Sequence, residues 1–435
     1  MSELRYTPIA VFDTLNDIIE LFKSSQQAKE PQEPIKRLLS INFHKSLVKP
    51  PEAYASQDTL IVLRFLYHYR GSKDTFSSYR RDLERLLQWS WFVKKQSILC
   101  HKRQDIEGFV EFCIKPYKRW ISIEKATRYH LIAGEKKPHP NWRPYEARLA
   151  KKDNKSGKMA TKEDYFLSQS GLKALFAILS SFYNYLLQEE LTQMNPVALI
   201  RQKSKFLQKE PSKKVVRRLS DVQWQTIMDI AKQKANADVS YERDLFILSL
   251  LYGMYLRISE LITTPRWSPT MGDFFQDADN HWWFKTVGKG NKLRQIAVSN
   301  DMLQALSRYR ENYLQLPGLP DLDEKTPLIG HIKNPDTPIS SDYPIRRLVQ
   351  KHFDSAFDQL QSEGREKDAN RLRSATVHWL RHTGISDDIK SRPREHVRDD
   401  AGHSSSAITD RYVDIELSER AHSAKGKKID KNESA

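Results

Sequence analysis

The chain has 435 residues, 39% of them hydrophobic and 29% charged, with 71 Lys+Arg against 55 Asp+Glu and a formal net charge of +16. That length and apolar content allow two domains with real cores, and the cation excess makes a polyanion, nucleic acid above all, the expected partner. No apolar run reaches the length of a membrane span, no signal-peptide pattern opens the chain, and Cys100 and Cys113 are too few for a disulfide framework or a cysteine-rich zinc site. The expectation is a cytoplasmic protein without a membrane partner.

Residues 1–55 read as an N-terminal extension of undefined role. A short helical pattern at Ile18, Ile19, Leu21 and Phe22 is followed by Pro31, Pro34, Pro50 and Pro51. From residue 56 to 205 helical periodicity dominates. Tyr79, Leu83, Leu86, Leu87 and Trp91 fall on one helical face, as do Leu172, Leu175, Phe176, Leu179, Phe182, Tyr183, Leu186 and Leu187, with Pro196 as the expected stop. Between them a segment near 115–165, rich in Lys, Arg, Trp and Pro, reads as an insertion that either touches DNA or is a solvated excursion. The stretch 201–218 carries eight basic residues and one acidic one, and 206–217 suits an exposed linker. Its cations Lys213, Lys214, Arg217 and Arg218 are placed to follow a phosphate backbone.

Past the linker the pattern becomes mixed. Ser220-Asp221 is a helix cap, Leu245 to Leu251 an apolar helix ending near Gly253, and His281 to Ser299 a β-hairpin turning at Gly288-Lys289-Gly290-Asn291. Helices return from Ile345. The fold class expected is mostly α with a small antiparallel sheet, in two domains, with 218–420 as the second and 421–435 as a polar tail.

Five short stretches in this second half carry unusual chemistry: Gly253-Met-Tyr-Leu-Arg257-Ile-Ser-Glu260-Leu, Val287-Gly-Lys289-Gly-Asn-Lys292, His378-Trp-Leu-Arg381-His382-Thr-Gly384, Ala401-Gly402-His403-Ser-Ser, and Asp410-Arg-Tyr412-Val. Singly each is weak, because an Arg is usually a surface charge, a helical Tyr usually packing and Gly-Lys-Gly usually a hairpin tip. In this order and spacing, over roughly 218 to 420, they resemble the catalytic domain of the tyrosine site-specific recombinases, the phage integrase family. The helical block at 56–205 is similar, by composition, to that family's core-binding domain.

The resemblance implies a metal-free, cofactor-free enzyme that cuts and rejoins double-stranded DNA through a 3′-phosphotyrosine. Tyr412 would be the nucleophile. Arg257 and Arg381 would grip the non-bridging oxygens through forked, permanently charged hydrogen bonds, and His403 would add a donor. His378 would either hold the tyrosyl proton or orient the phosphate, and Lys289 would protonate the leaving 5′ oxygen, with Lys292 as its competitor. Glu260 either anchors Arg257 or is an exposed helix carboxylate. His378 and His382, four apart, have the spacing of a metal pair, but no zincin-type Glu and no third ligand accompany them. The resemblance further implies a homotetramer on synapsed sites, two domains embracing the duplex, and accessory DNA-bending proteins. The preferred role is integrase of a mobile genetic element. The alternatives are an Xer-like or transposon resolvase, a type IB topoisomerase, and a DNA-binding accessory protein without catalysis. One departure from the family pattern stands out: between Arg381 and His403, where an apolar helix is usual, this chain places Asp387, Asp388, Lys390, Arg392, Arg394, Glu395, Arg398, Asp399 and Asp400.

Overall fold

A computed structural model describes residues 6–155, 157–198, 200, 206–207, 217–288, 290–403, 405–409, 412 and 424–425. The chain divides into two units, Met1–Pro211 and Ser212–Ala435. Both are predominantly helical, as the patterning predicts, and the second holds the expected antiparallel sheet, whereas the two small sheets of the first unit are not expected from the sequence. No helix among the described residues is long and apolar enough to cross a membrane.

In the first unit, α1 (Leu15–Gln27) begins at a reciprocal capping box between Thr14 and Asp17, and α2 (Glu33–Asn42) carries Pro34 in its first turn, where no backbone N–H is needed. They are followed by α3 (Ala55–His68), α4 (Lys73–Trp89), α5 (Arg103–Ile114), α6 (Lys151–Lys155) and α7 (Gln169–Gln188). Tyr6, Val11, Phe12, Ile18, Ile35 and Phe43 share one apolar core with Leu63, Leu66, Leu83, Leu86, Phe109, Leu179 and Phe182, so the N-terminal extension contributes to the unit's interior. The helix read from Leu172 onward stops at Gln188, well before Pro196. Its end is set by Glu190, whose φ of 57° reverses the chain, and the Asn195 amide then donates back to the Ser180 carbonyl.

The segment near 115–165 is in part folded onto the helices and is not solvated throughout. Its aromatic residues fold it onto the helices: Trp120 and Tyr145 are buried, and Arg85 of α4 stacks on the Tyr145 ring while donating to the Pro144 carbonyl. Strand β1 (Ile121–Ser122) pairs with β4 (Tyr145–Glu146), and β2 (Tyr129–Ile132) with β3 (Glu135–Pro138) forms a hairpin turning on Ala133 and Gly134, both with positive φ. This hairpin reaches back to the N-terminus. The Tyr129 hydroxyl meets the carbonyl of Val11, and Arg128 donates to the carbonyl of Phe12 and pairs with Glu84. Glu84, fully buried, also accepts the backbone N–H groups of Val11 and Phe12. One carboxylate thus ties together α4, the insertion and the residues ahead of α1. Glu84→Ala leaves Arg128 without its counter-charge and two backbone donors without an acceptor. It should lower the unit's unfolding free energy in urea by about 3–5 kcal/mol and expose residues near Val11 to proteolysis before the rest unfolds.

In the second unit Ser220 and Gln223 form the capping box of α8 (Asp221–Ala237), and α9 (Glu242–Gly253) is the apolar helix expected there. An antiparallel sheet of β5 (Phe274–Gln276), β6 (Trp282–Val287) and β7 (Leu293–Ala297) follows, with Phe284 opposite Ile296 on one neighbour and Phe274 on the other. Then come α10 (Asn300–Tyr309), the β8 (Gly330–His331) and β9 (Asn334–Pro338) pair, α11 (Tyr343–Ser362), α12 (Glu366–Leu372), α13 (Val377–Asp388), α14 (Arg394–Ala401) and α15 (Ser406–Thr409). Apart from the main core, Tyr255, Ile385, Val397 and Ala401 form a small cluster against which Tyr412 and Ile389 pack.

Candidate active site

The sequence after α9 leaves the helix through a strained turn. Tyr255 adopts φ +50°, a region costly for a residue with a Cβ. The turn presents the Tyr255 carbonyl to Arg381, whose guanidinium also donates to the Ala401 carbonyl at 2.5 Å. Arg381 is buried, and α13 reaches this depth because of Gly384: a Cβ there would lie 2.1 Å from the Tyr252 carbonyl oxygen. Burial, then the nearby charges of Arg257 and Arg294, lower the Arg381 guanidinium from its usual range while leaving it cationic at neutral pH.

Arg257 opens a short 3₁₀ turn, Ile258–Glu260, and Glu260 folds back on it. The Glu260 Oε2 accepts the Arg257 backbone N–H at 2.7 Å, and Oε1 accepts the Arg257 guanidinium at 2.9 Å. Of the two readings of Glu260, anchor and exposed carboxylate, the structure has the anchor: the residue is 1% exposed. A third cation completes the group. Arg294, on β7, donates to Glu260 Oε2 at 2.6 Å and to the Asp400 carbonyl. Three guanidiniums around one carboxylate leave two positive charges in excess, an arrangement that is electrostatically incomplete without an anion.

Arg294 was not singled out from the sequence, yet a signal for it exists. It lies two residues from the buried Ile296, on the core-facing side of β7, whereas Leu293 and Gln295 are exposed. An Arg on the inward face of a strand needs a buried acceptor, and here that acceptor is Glu260.

The charged stretch after α13 has a structural account. Arg392 donates to Asp388 at 3.0 Å, to the Tyr255 hydroxyl at 3.0 Å and to Asp400 at 2.6 Å. Asp400 also accepts the Ala297 backbone N–H of β7. This network adds to the small apolar cluster of Tyr255, Ile385, Val397 and Ala401 in joining α13, α14, the Tyr255 turn and the sheet. It holds the Ala401 and Gly402 carbonyls where Arg381 and Arg257 use them. Gly402, at φ +61°, ends α14, and a Cβ on it would meet Arg294 Cδ at 2.8 Å.

His403 follows directly. Its Nδ1 lies 2.9 Å from the Thr409 hydroxyl, and its ring stacks on that of Tyr412 with centroids 5.7 Å apart and an interplanar angle of 16°. The Tyr412 hydroxyl is 2.6 Å from His382 Nδ1. His378, one turn earlier on α13, is exposed and stacks on His382 at 6.0 Å. Desolvation, followed by Arg381, Arg257 and Arg294, lowers His403 to about 4, so it is neutral at physiological pH. His378 is lowered in the same direction by desolvation and then by Arg381, Arg346 and Arg257.

Of the residues expected from the sequence, Arg257, Glu260, Arg381, His403 and Tyr412 gather here, with His378 at the surface beside them. Lys289, Lys213 and Lys214 lie outside the described residues. The hairpin leading to Lys289 is placed: a Cβ on Gly288 would lie 3.3 Å from Glu260 Oε1 and 3.4 Å from an Arg257 guanidinium nitrogen. Lys292 is exposed, as is Arg217, while Arg218 pairs with Asp387 at 3.5 Å. For a cation, Asp277, Asp279 and His281 lie close together in the turn between β5 and β6. The Asp277 carboxylate there is already taken up by the Trp283 indole and by the backbone N–H groups of Asp279 and His281.

The buried carboxylate makes a direct prediction. Glu260→Ala strands Arg294 without its counter-charge and releases Arg257, and should destabilise the second unit by about 3–5 kcal/mol in urea unfolding. Glu260→Gln should cost less stability but still weaken anion binding at the site, because one neutral amide cannot pair with two guanidiniums; phosphate titration followed by NMR of the arginine Nε–H signals checks both.

Comparison with known proteins agrees with this geometry. Residues 217–419 match the model of the phage integrase family. Tyrosine recombinase XerC of Chlorobaculum parvum is 25% identical over 255 residues, 56% of this chain and 68% of that protein. XerC of Pediococcus pentosaceus is 25% identical over 188 residues, 43% of this chain, and the match spans only 57% of that relative. The crystal structure of the XerH site-specific recombinase bound to a palindromic difH substrate, a post-cleavage complex, superposes with a TM-score of 0.50 over 97% of this chain and 98% of its own, at 13% identity, a likeness of fold. The second unit thus carries a domain of the phage integrase family, the tyrosine site-specific recombinases, enzymes that cleave and rejoin DNA.

Proposed function

We propose that the chain recombines double-stranded DNA as the integrase of a mobile genetic element, with Tyr412 as nucleophile. The observation that carries the reading is the position of the Tyr412 hydroxyl, hydrogen-bonded to His382 and within electrostatic reach of Arg381, one of the group of three guanidiniums. A phosphodiester is an anion that gains charge on its non-bridging oxygens during attack, and the two excess positive charges supply what that transition state lacks. Arg257 and Arg381 would hold the non-bridging oxygens, with His403 as a neutral donor through the nitrogen not used by Thr409 and His378 at the opening of the site.

The Tyr412 oxygen bonds to phosphorus, the bond from phosphorus to the 5′ oxygen breaks, and a 3′-phosphotyrosine results. Lys289 would donate a proton to the departing 5′ oxygen. Its neighbour in the chain, Gly288, packs against the Arg257–Glu260 pair, which supports that role. The phosphotyrosine conserves the bond energy, so rejoining by a 5′ hydroxyl requires no nucleotide or metal ion. The basic linker, with Lys213, Lys214, Arg217 and Arg218, would add contacts to phosphates, and function would proceed in a homotetramer with accessory DNA-bending proteins. A second reading, resolution of replicon dimers, is favoured by the Xer recombinases among the curated relatives. Sequencing junctions formed in cells that carry the gene with its flanking DNA separates integration from resolution.

A duplex selected from a random pool by the Tyr412→Phe variant serves as the probe. On that duplex, nicked to trap the intermediate, the native chain should form a covalent adduct in excess EDTA, and Tyr412→Phe should form none while binding with nearly unchanged affinity. An adduct in that variant would mean that another tyrosine attacks.

The leaving group tests Lys289. Lys289→Ala should cleave slowly, because an unprotonated alkoxide leaves poorly. Replacing the bridging 5′ oxygen with sulfur, whose thiolate needs no proton, should restore its rate but not that of Arg257→Ala. Rescue of Lys292→Ala instead would move the acid three residues along the hairpin.

A further inference from the structure

Two histidines, His382 and His403, lie against the Tyr412 ring, a third, His378, stacks on His382, and the three are not equivalent. His403 lies against the face of the ring, with its Nδ1 engaged by Thr409. His378 is exposed at the opening and stacks on His382. His382 places its Nδ1 within hydrogen-bond distance of the reacting oxygen, at 2.6 Å. From the sequence this residue carried no role beyond a discarded metal pair with His378.

We propose that His382, through Nδ1, is the base that takes the Tyr412 proton as the phenol attacks phosphorus. The inference rests on the reading of Tyr412 as nucleophile and names the acceptor that the reading requires. The direction of the hydrogen bond follows from elementary acidity: a phenol donates better than it accepts, and an imidazole with its proton on Nε2 offers the Nδ1 lone pair. The helix enforces the geometry. Arg381 and His382 are consecutive on α13, which is fixed in depth by Gly384 and by the Thr383 hydroxyl, acceptor of the Leu219 N–H at 3.0 Å and donor to the Trp379 carbonyl at 2.7 Å. The phosphate-holding group and the base therefore move as one body.

The proton balance closes. The phenolic O–H bond breaks and its proton joins His382 Nδ1, giving an imidazolium, as the oxygen–phosphorus bond forms. The departing 5′ oxygen takes its proton from the acid, in this reading Lys289. On rejoining, the incoming 5′ hydroxyl returns a proton to the acid, and the imidazolium returns its own to the phenolate that leaves. The groups facing His382 are His378 and Arg381 on its own helix, Tyr412, and His403 beyond α14. Burial, with His378 and Arg381, keeps His382 down to about 4, so the acceptor form is present at neutral pH. A phosphate bound by Arg257 and Arg381 cancels part of that positive field and raises the imidazole's basicity when the proton has to move.

The experiment uses the full chain and the selected, nicked duplex. His382→Ala should slow adduct formation at pH 7 by about 10²-fold or more. The deficit should shrink as pH approaches the ordinary phenol pKa of about 10, where the nucleophile ionises without help. His382→Asn keeps an acceptor near the Nδ1 position but takes no proton; it should be slow in the same pH-dependent way and carries the test if the Ala variant fails to fold. Sulfur at the bridging position should rescue neither. A His382→Asn rate equal to wild type, or a deficit equal at every pH, makes His382 a structural spacer and overturns the proposal. Loss of the adduct in Tyr412→Phe keeps the underlying reading intact in either case, whereas an adduct in that variant removes the nucleophile and the proposal with it. Thermal melting and duplex affinity verify that each variant is folded.

Discussion

The buried carboxylate of Glu260 is the point on which the catalytic unit turns. It neutralises one of three guanidiniums that would otherwise repel one another inside the protein, and does so with both oxygens, spanning a 3₁₀ turn and a strand. Isolated, such a group of cations would be too costly to bury. With one carboxylate in place the cost is reduced, and the remaining excess of positive charge is held ready for a phosphate. The same feature constrains the backbone around it: Gly288 and Gly402 are places where a side chain would collide with Arg257, Glu260 or Arg294.

The arginines are held largely by main-chain carbonyls. Arg381 uses Tyr255 and Ala401, Arg294 uses Asp400, and Arg257 reaches Gly402. Carbonyls add electron density without adding full charge, so they orient the guanidiniums without cancelling them. The strain at Tyr255 is concentrated where it aims one of these carbonyls. The Asp388–Arg392–Asp400 network stabilises the same elements from behind, which explains how a stretch so rich in charge serves where an apolar helix would be expected.

In the first unit a comparable device appears. Glu84 lies buried in the interior and gathers Arg128 with the N–H groups of Val11 and Phe12. In both units a single buried acid joins segments distant in sequence, 72 to 73 residues apart for Glu84 and the N-terminus, and 34 for Glu260 and Arg294. Hydrophobic burial supplies most of the stability, but these pairs determine which loop meets which helix.

The amino-acid order by itself determined the helical character of both halves, the β6–β7 hairpin, the cap at Ser220 and the five stretches with their chemistry, because periodicity, turn residues and capping pairs act within a few residues of each other. It also made Tyr412, Arg257 and Arg381 recognisable, since their side-chain chemistry is rare in that order. Only the tertiary structure decided that Glu260 is an anchor, that Arg294 belongs with it, that the segment near 115–165 is in part packed, and that His382 meets the phenol hydroxyl. Apart from the Arg257–Glu260 pair, 3 positions apart, those outcomes depend on contacts between residues distant in the chain, such as His382 with Tyr412 and Arg294 with Glu260. No local pattern encodes such a contact. The spacing of His378 and His382 is equally compatible with a metal pair or a stacked pair, and it is the return of the chain past His403 that brings Tyr412 onto the second of them.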